Sequence, residues 1–253
     1  MKVCVLASGS KGNVTYIETN KTKSLIDIGM STAYIERKLK EIKVEPKEIQ
    51  RIFITHTHND HIKGLRVFLK KYNPEIYLTE KMEEELNLII DKTTYINDDI
   101  EIEDLIIKPI KTSHDVSDSN GYVFINNEKS LMYMTDTGYI NQRNFSKLKN
   151  HNIYILESNH DIEMLMNGPY PYHLKQRILG DKGHLSNKDS AYYLSEFITD
   201  KTKKVILAHL SENNNTKEKA LEEYKKTFEK QKKNAPEVEV ATQNERLEMI
   251  EIW

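Results

Sequence analysis

The chain has a single cysteine, Cys4, among 253 residues, which excludes an internal disulfide and any zinc site built from paired thiolates. It lies in a short apolar stretch, 3–7, far along the sequence from every histidine, and reads as a buried, inert thiol. Long hydrophobic runs are also missing. None approaches the about 20 residues needed to span a bilayer, and 3–7 is too short for the apolar part of a signal peptide, so no membrane partner and a cytoplasmic location are expected. A surplus of positive charge is missing as well. Lys plus Arg number 37 against 39 Asp plus Glu, a formal charge of −2, which argues against a strongly basic body that holds nucleic acid by bulk attraction. Basic residues do cluster at 201–204, 225–233 and around Arg143, Lys147 and Lys149, but such runs are mostly solvated helix faces. No low-complexity segment or linker interrupts the chain, and 38% hydrophobic with 30% charged residues suits one globular domain over 1–253.

What is present is concentrated at 55–61, Thr-His-Thr-His-Asn-Asp-His, directly after the apolar run 51–54. In an extended stretch His56 and His58 point the same way and reach one ion. Asp60 and His61 sit where the chain turns into a segment with Ile62, Leu65, Phe68 and Leu69 at helical spacing, which aims them toward a second ion. Two cations side by side can share one water and lower its pKa toward neutrality, a device for hydrolysis.

The remaining chain alternates strand and helix signals. Strands are expected at 2–7, 14–18 and 24–28, joined by a tight Gly-rich hairpin turn at 9–13, then a helix at 32–42, a strand at 76–79, a helix near 81–90, and strands at 98–103 and 105–111, so that a first half ends near Ser113. A second half repeats the order with strands at 122–125, 131–133, 153–157 and 204–208, helices at 141–149 and 187–197, a Lys/Glu-rich helix with Leu221, Tyr224 and Phe228 inward, and closing strands at 238–240 and 249–252. Ser186 and Asp189 form a capping pair for the helix at 187–197. Two sheet-plus-helix halves stacked face to face give an α/β (α+β) four-layer αββα sandwich with its site at the seam. Three further ligand candidates follow strands, as that seam requires: His114, Asp136 and His209.

The pattern His-x-His-x-Asp-His resembles the metallo-β-lactamase-fold hydrolases. Thr135-Asp136-Thr137-Gly138-Tyr139, Leu156 to Asp161, Asn167 to Pro171, Gly183-His184-Leu185-Ser186 and Ala208-His209-Leu210-Ser211, in that order, resemble the YycJ (WalJ)-like branch over essentially the whole chain. The resemblance implies one ion held by His56, His58, His114 and Asp136, and a second by Asp60, His61, His209 and the shared Asp136, with zinc or manganese as the metals. Asp27 would support the metal loop without being a ligand. The lone cysteine departs from the β-lactamases that use a cysteine ligand, so antibiotic hydrolysis gains no support. Also implied is a phosphodiesterase acting on nucleic acid, most specifically a 5′-to-3′ DNA exonuclease, in which a metal-bridging hydroxide assisted by Asp60 attacks phosphorus and His184, oriented by Glu157, serves the leaving oxygen. His160, Tyr170, Lys175 and Arg177 are candidate substrate contacts in an open groove. A small-molecule hydrolase of lactones, thioesters or cyclic phosphodiesters would use the same ions, and a binding module without turnover is the non-enzymatic rival.

Overall fold

The computed structural model describes residues 1–252. The strands and helices run in the order β1 (Lys2–Ala7), β2 (Val14–Glu18), β3 (Lys23–Ile26), α1 (Thr32–Glu41), β4 (Arg51–Phe53), α2 (Asn59–Ile62), α3 (Leu65–Tyr72), β5 (Glu75–Leu78), α4 (Glu80–Leu86), β6 (Thr93–Tyr95), β7 (Ile100–Ile102), β8 (Leu105–Lys111), β9 (Asn120–Asn126) and β10 (Lys129–Met134). There follow α5 (Phe145–Leu148), β11 (Ile153–Glu157), α6 (Ile162–Asn167), α7 (Tyr172–Leu179), α8 (Asn187–Phe197), β12 (Lys204–Ala208), α9 (Lys217–Lys230), β13 (Glu237–Val240) and β14 (Ile250–Glu251).

Among the described residues these strands form two seven-stranded sheets, ordered β14-β1-β2-β3-β4-β5-β6 and β13-β12-β11-β10-β9-β8-β7. Strict alternation along each strand sorts side chains between layers. Val3 and Val5 meet Ile153, Ile155, Ile206 and Ala208 in the core between the sheets, while Cys4 and Leu6 face Ile35 and Leu39 of α1. On the other side Tyr154, Leu156, Val205 and Leu207 pack on Leu194 and Phe197 of α8 and Tyr224 and Phe228 of α9. The four-layer sandwich follows from this double-sided burial.

Several boundaries differ from the sequence reading for physical reasons. The strands β7 and β8 were expected to close the first half, yet β8 pairs antiparallel with β9 from Ile106↔Ile125 to Lys111↔Asn120, which puts both in the second sheet. The closing strand β14 crosses back to pair with β1, Val3 opposite Ile250. The helical run after the metal loop is broken into α2 and α3, and α4 stops at Leu86, where Asn87 turns left-handed (φ 46). A 3-10 turn at Gln142–Asn144 precedes the short α5 within the helix expected at 141–149. Expected bounds of α8 are observed, with Ser186 Oγ accepting from Asp189 N at 3.1 Å.

In each sheet one half is antiparallel and the other parallel, β3 to β6 in the first and β10 to β13 in the second. Ligands in open α/β sheets collect at the carboxyl ends of parallel strands. Asp27 follows β3, His56 follows β4, Asp136 follows β10, Glu157 ends β11 and His209 follows β12.

Candidate metal centre and cleft

The structure brings the seven expected ligands together at those strand ends. Donor atoms of His56, His58 and His114 lie within 4.8 Å of one another, as do those of Asp60, His61 and His209, and those of His56, His61 and Asp136. Asp136 is therefore common to the space between the two histidine sets: its Oδ2 is 3.2 Å from His61 Nε2, and its Oδ1 is 3.4 Å from His209 Nδ1 and 3.8 Å from His114 Nε2.

Backing partners decide which ring nitrogen faces the cluster. Nδ1 of His61 donates to Asp27 Oδ2 at 2.7 Å, Nδ1 of His209 to Glu157 Oε1 at 2.8 Å and Nδ1 of His114 to Gly183 O at 3.3 Å, while Nδ1 of His56 meets Thr55 Oγ1 at 3.1 Å. Each leaves Nε2 for the centre. His58 is reversed: its Nδ1 faces His114 Nε2 at 3.2 Å. Asp27 is fully buried and also accepts from the Thr55 amide at 2.8 Å, so one carboxylate fixes both the start of the loop and its last histidine. Gly29 permits the close packing of that loop, since a Cβ there would lie 1.6 Å from Asp60 O.

Glu157 does the corresponding work in the second sheet and does more of it. Its Oε1 accepts from His184 Nδ1 at 2.7 Å as well as from His209, and its Oε2 accepts from the amides of Thr137 and Leu185, each at 3.1 Å. Sequence reasoning paired Glu157 with His184 only. It also missed the hairpin turn as part of the site: Asn13 Nδ2 is 3.4 Å from Asp60 Oδ2 and 3.1 Å from His61 Nε2, and Ser8 Oγ accepts from the His209 amide at 2.8 Å. The side-chain signal was present in the Gly-rich turn 9–13, but only tertiary contact assigns it.

Burial pushes the His56 and His114 imidazoles below the ordinary histidine value. It acts the same way on His61, His184 and His209, but there carboxylates outweigh it. Asp27 raises His61, Glu157 raises His184, and Asp136 leads in raising His209 to about 10. Burial likewise favours the neutral acid at Glu157, and His184 outweighs it to hold that carboxyl at about 2. The cluster of carboxylates thus calls for positive charge. His56 Nε2, His209 Nε2 and Asp136 Oδ2 are moreover buried without a hydrogen-bond partner, a costly state for polar atoms. Imidazole and carboxylate donors converging with unmet valence fit divalent cations.

The cluster forms the floor of a cleft of about 250 Å³ whose walls include Ser10, Asp115, Tyr170, Arg177, Lys182 and His184. Of the expected substrate contacts, Tyr170 and Arg177 line this cleft. Lys175 and His160 are not among its lining residues. The Lys175 ammonium donates to Met166 O at 2.7 Å, and His160 is 1% exposed in a bridge to Ser186. Lys175 and Arg177 stand on α7, in a stretch to which the sequence reading assigned no helix. Lys182 was not singled out from the sequence, and none of the three lysine-rich clusters contributes to the cleft among the described residues.

Residues 7–142 match the family model of the metallo-β-lactamase superfamily. The chain is 40% identical over 223 residues to exodeoxyribonuclease YycJ of Bacillus anthracis, covering 85% of this chain and 84% of that protein. It is also 40% identical over 228 residues to exodeoxyribonuclease WalJ of Streptococcus pneumoniae serotype 2, covering 87% and 85%. Among solved structures, the metallo-β-lactamase fold protein YhfI from Bacillus subtilis superposes with a TM-score of 0.72 at 17% identity, over 97% of this chain and 98% of the other, a likeness of fold. Among the described residues no helix is long and apolar enough to cross a membrane. The chain belongs to the metallo-β-lactamase superfamily of metal-dependent hydrolases, in the branch that carries the YycJ and WalJ exodeoxyribonucleases.

Proposed function

We propose that this protein is a two-metal nuclease that degrades DNA from 5′ ends in the cytoplasm. The observation that carries the reading is the pair of donor sets, His56 with His58 and His114, and Asp60 with His61 and His209, converging on either side of one carboxylate, Asp136. The exodeoxyribonuclease names of the relatives at 40% identity support DNA as the substrate, and the resemblance to their branch supports the polarity. Two divalent ions held there supply Lewis acidity at phosphate oxygens and activate water. The five imidazoles favour zinc, while two carboxylates and phosphate chemistry admit manganese.

The chain's own groups then have distinct work. Asp60, on the cleft floor, orients the attacking water. His184, with Nδ1 committed to Glu157, presents Nε2 to the leaving oxygen as general acid. Arg177 and Lys182 on the wall favour a phosphate polymer over a lactone or thioester, which needs no cations at the mouth of its pocket.

Metal-loaded protein offered end-labelled duplex DNA, single-stranded DNA, RNA and a generic lactone tests the reading. Early release of mononucleotide from a 5′-labelled duplex is expected, with binding that weakens by roughly 0.7–0.9 log units per log unit of salt for each phosphate contacted. A salt slope near zero, together with turnover of the lactone alone, would transfer the chain to the small-molecule hydrolases.

A further inference from the structure

Asp115 follows the ligand His114 directly, yet its carboxylate reaches across the cleft to α7. Arg177 Nε donates to Asp115 Oδ2 at 2.5 Å, and its Nη2 lies 2.5 Å from the same oxygen in an ion pair. The other oxygen, Oδ1, stays beside two of the ligand rings, 3.4 Å from His114 Nε2 and 3.9 Å from the outward Nε2 of His58. One carboxylate therefore ties a guanidinium to the reaction centre at a fixed offset. Little else fixes that guanidinium, because α7 has no buried residue.

A guanidinium carries five N–H donors in a rigid fork. Asp115 engages the edge formed by Nε and Nη2, which leaves the Nη1 side free to take two oxygens of a phosphate. The Arg177 side chain is 59% exposed and Asp115 27%, so the pair adds little to stability and is open to a shared ligand. We propose that Asp115 is a positioning residue that aims Arg177 at a backbone phosphate next to the scissile one, setting how far the strand enters the cleft. This rests on the nuclease reading above and adds to it the residue pair that distinguishes a polynucleotide from a small phosphodiester.

Electrostatics alone predicts the opposite result, which makes the test decisive. Removing a negative charge from the cleft should tighten DNA binding if Asp115 only contributes field; loss of positioning should weaken it. The measurements are bound metal, KM and kcat on duplex DNA, and anisotropy of a fluorescein-labelled duplex across a salt series, for the unmodified protein and for Asp115→Asn, Arg177→Gln, Arg177→Lys and the Asp115→Asn, Arg177→Gln double variant. Asp115→Asn should keep both ions, raise KM about tenfold and change kcat by less than about threefold, the pattern of a lost charge-assisted binding contact. The double variant should be no worse than Arg177→Gln, because Asp115 acts through Arg177. Arg177→Lys should keep the salt slope but lose affinity, since an ammonium lacks the fork. Tighter binding by Asp115→Asn, additive effects in the double variant, or metal lost with Asp115 would each overturn the positioning role while leaving the nuclease reading intact. Failure of the unmodified protein to bind or cleave DNA overturns both.

Discussion

The two halves of the metal centre are built in opposite ways. The first sheet delivers four ligands from one continuous piece of chain, His56 to His61, leaving the end of β4 and closing in the single turn α2. The second delivers His114, Asp136 and His209 from three separate strand ends, with Glu157 and His184 behind them. A local loop sets its own ligand spacing, whereas the dispersed half depends on sheet register. Parallel pairing of Met134 with Leu156 and of Glu157 with Ala208 brings those strand ends level. The buried carboxylates match this division. Asp27 holds His61 and the Thr55 amide, while Glu157 holds His184, His209 and two amides. Each donor set draws on both sheets, and Asp136 stands between the two sets.

The comparison breaks most severely at Asp136. Asp136→Ala removes a donor facing both sets, so metal analysis should find more loss than for any single histidine variant, with activity falling to background. Retention of two ions per chain would show that the two donor sets bind independently of Asp136. Next in size, His184→Ala should retain both ions and slow phosphodiester cleavage by ~10²–10⁴, as for a lost general acid. Metal loss in parallel with activity would make His184 a ligand of the second half.

A smaller effect sharpens the difference between the supporting carboxylates. Each should change metal affinity by the roughly 10–100-fold typical of groups that orient a ligand, but Glu157→Gln should also lower kcat through His184, whereas Asp27→Asn should act on metal affinity alone. Equal kcat losses in the two variants would remove the asymmetry.

A last effect, on stability and not on turnover, lies outside the cleft at His160. Burial lowers its pKa from 6.5 to about 4, so the folded state resists a proton that the unfolded chain accepts. Stability from this group is therefore complete above pH 6.5 and declines as pH falls toward 4, by up to about 3 kcal/mol. His160→Phe should flatten that part of the urea-unfolding profile relative to the unmodified protein. Parallel profiles would mean that His160 is hydrated in the folded state.

The same contrast explains what could be read in advance. A contiguous loop after an apolar run declares itself, and ligands at strand ends declare themselves once an αββα seam is expected. Sheet membership was harder, because β7 and β14 are short and their partners are chosen by long-range pairing rather than by neighbours in sequence. The strand β6 was missed: Thr93 and Thr94 are only half-buried and Tyr95 is exposed, so no apolar alternation marks it. For α7 the reason is similar, since its eight residues offer only Leu174 and Ile178, both half-buried, as an inward-facing apolar pair. Ser8, Asn13 and Lys182 are polar residues in turns, where composition alone does not separate a buried contact from a solvated one.

Asp27, Asp136 and His209 all stand in left-handed backbone, with φ of 57°, 57° and 55°. For a side chain with a Cβ this conformation costs roughly 1–2 kcal/mol, least for Asn and Asp. In a saturation library selected first for folding, positions 27 and 136 should therefore return mostly Asn and Gly, and β-branched residues should be rare at all three. Such a library would look permissive at the two carboxylates, yet position 136 would contain almost no active clones and position 27 mainly clones with weakened metal affinity, so tolerance measured by expression would report the shape of the backbone, and only tolerance measured by metal content and turnover would report the charge.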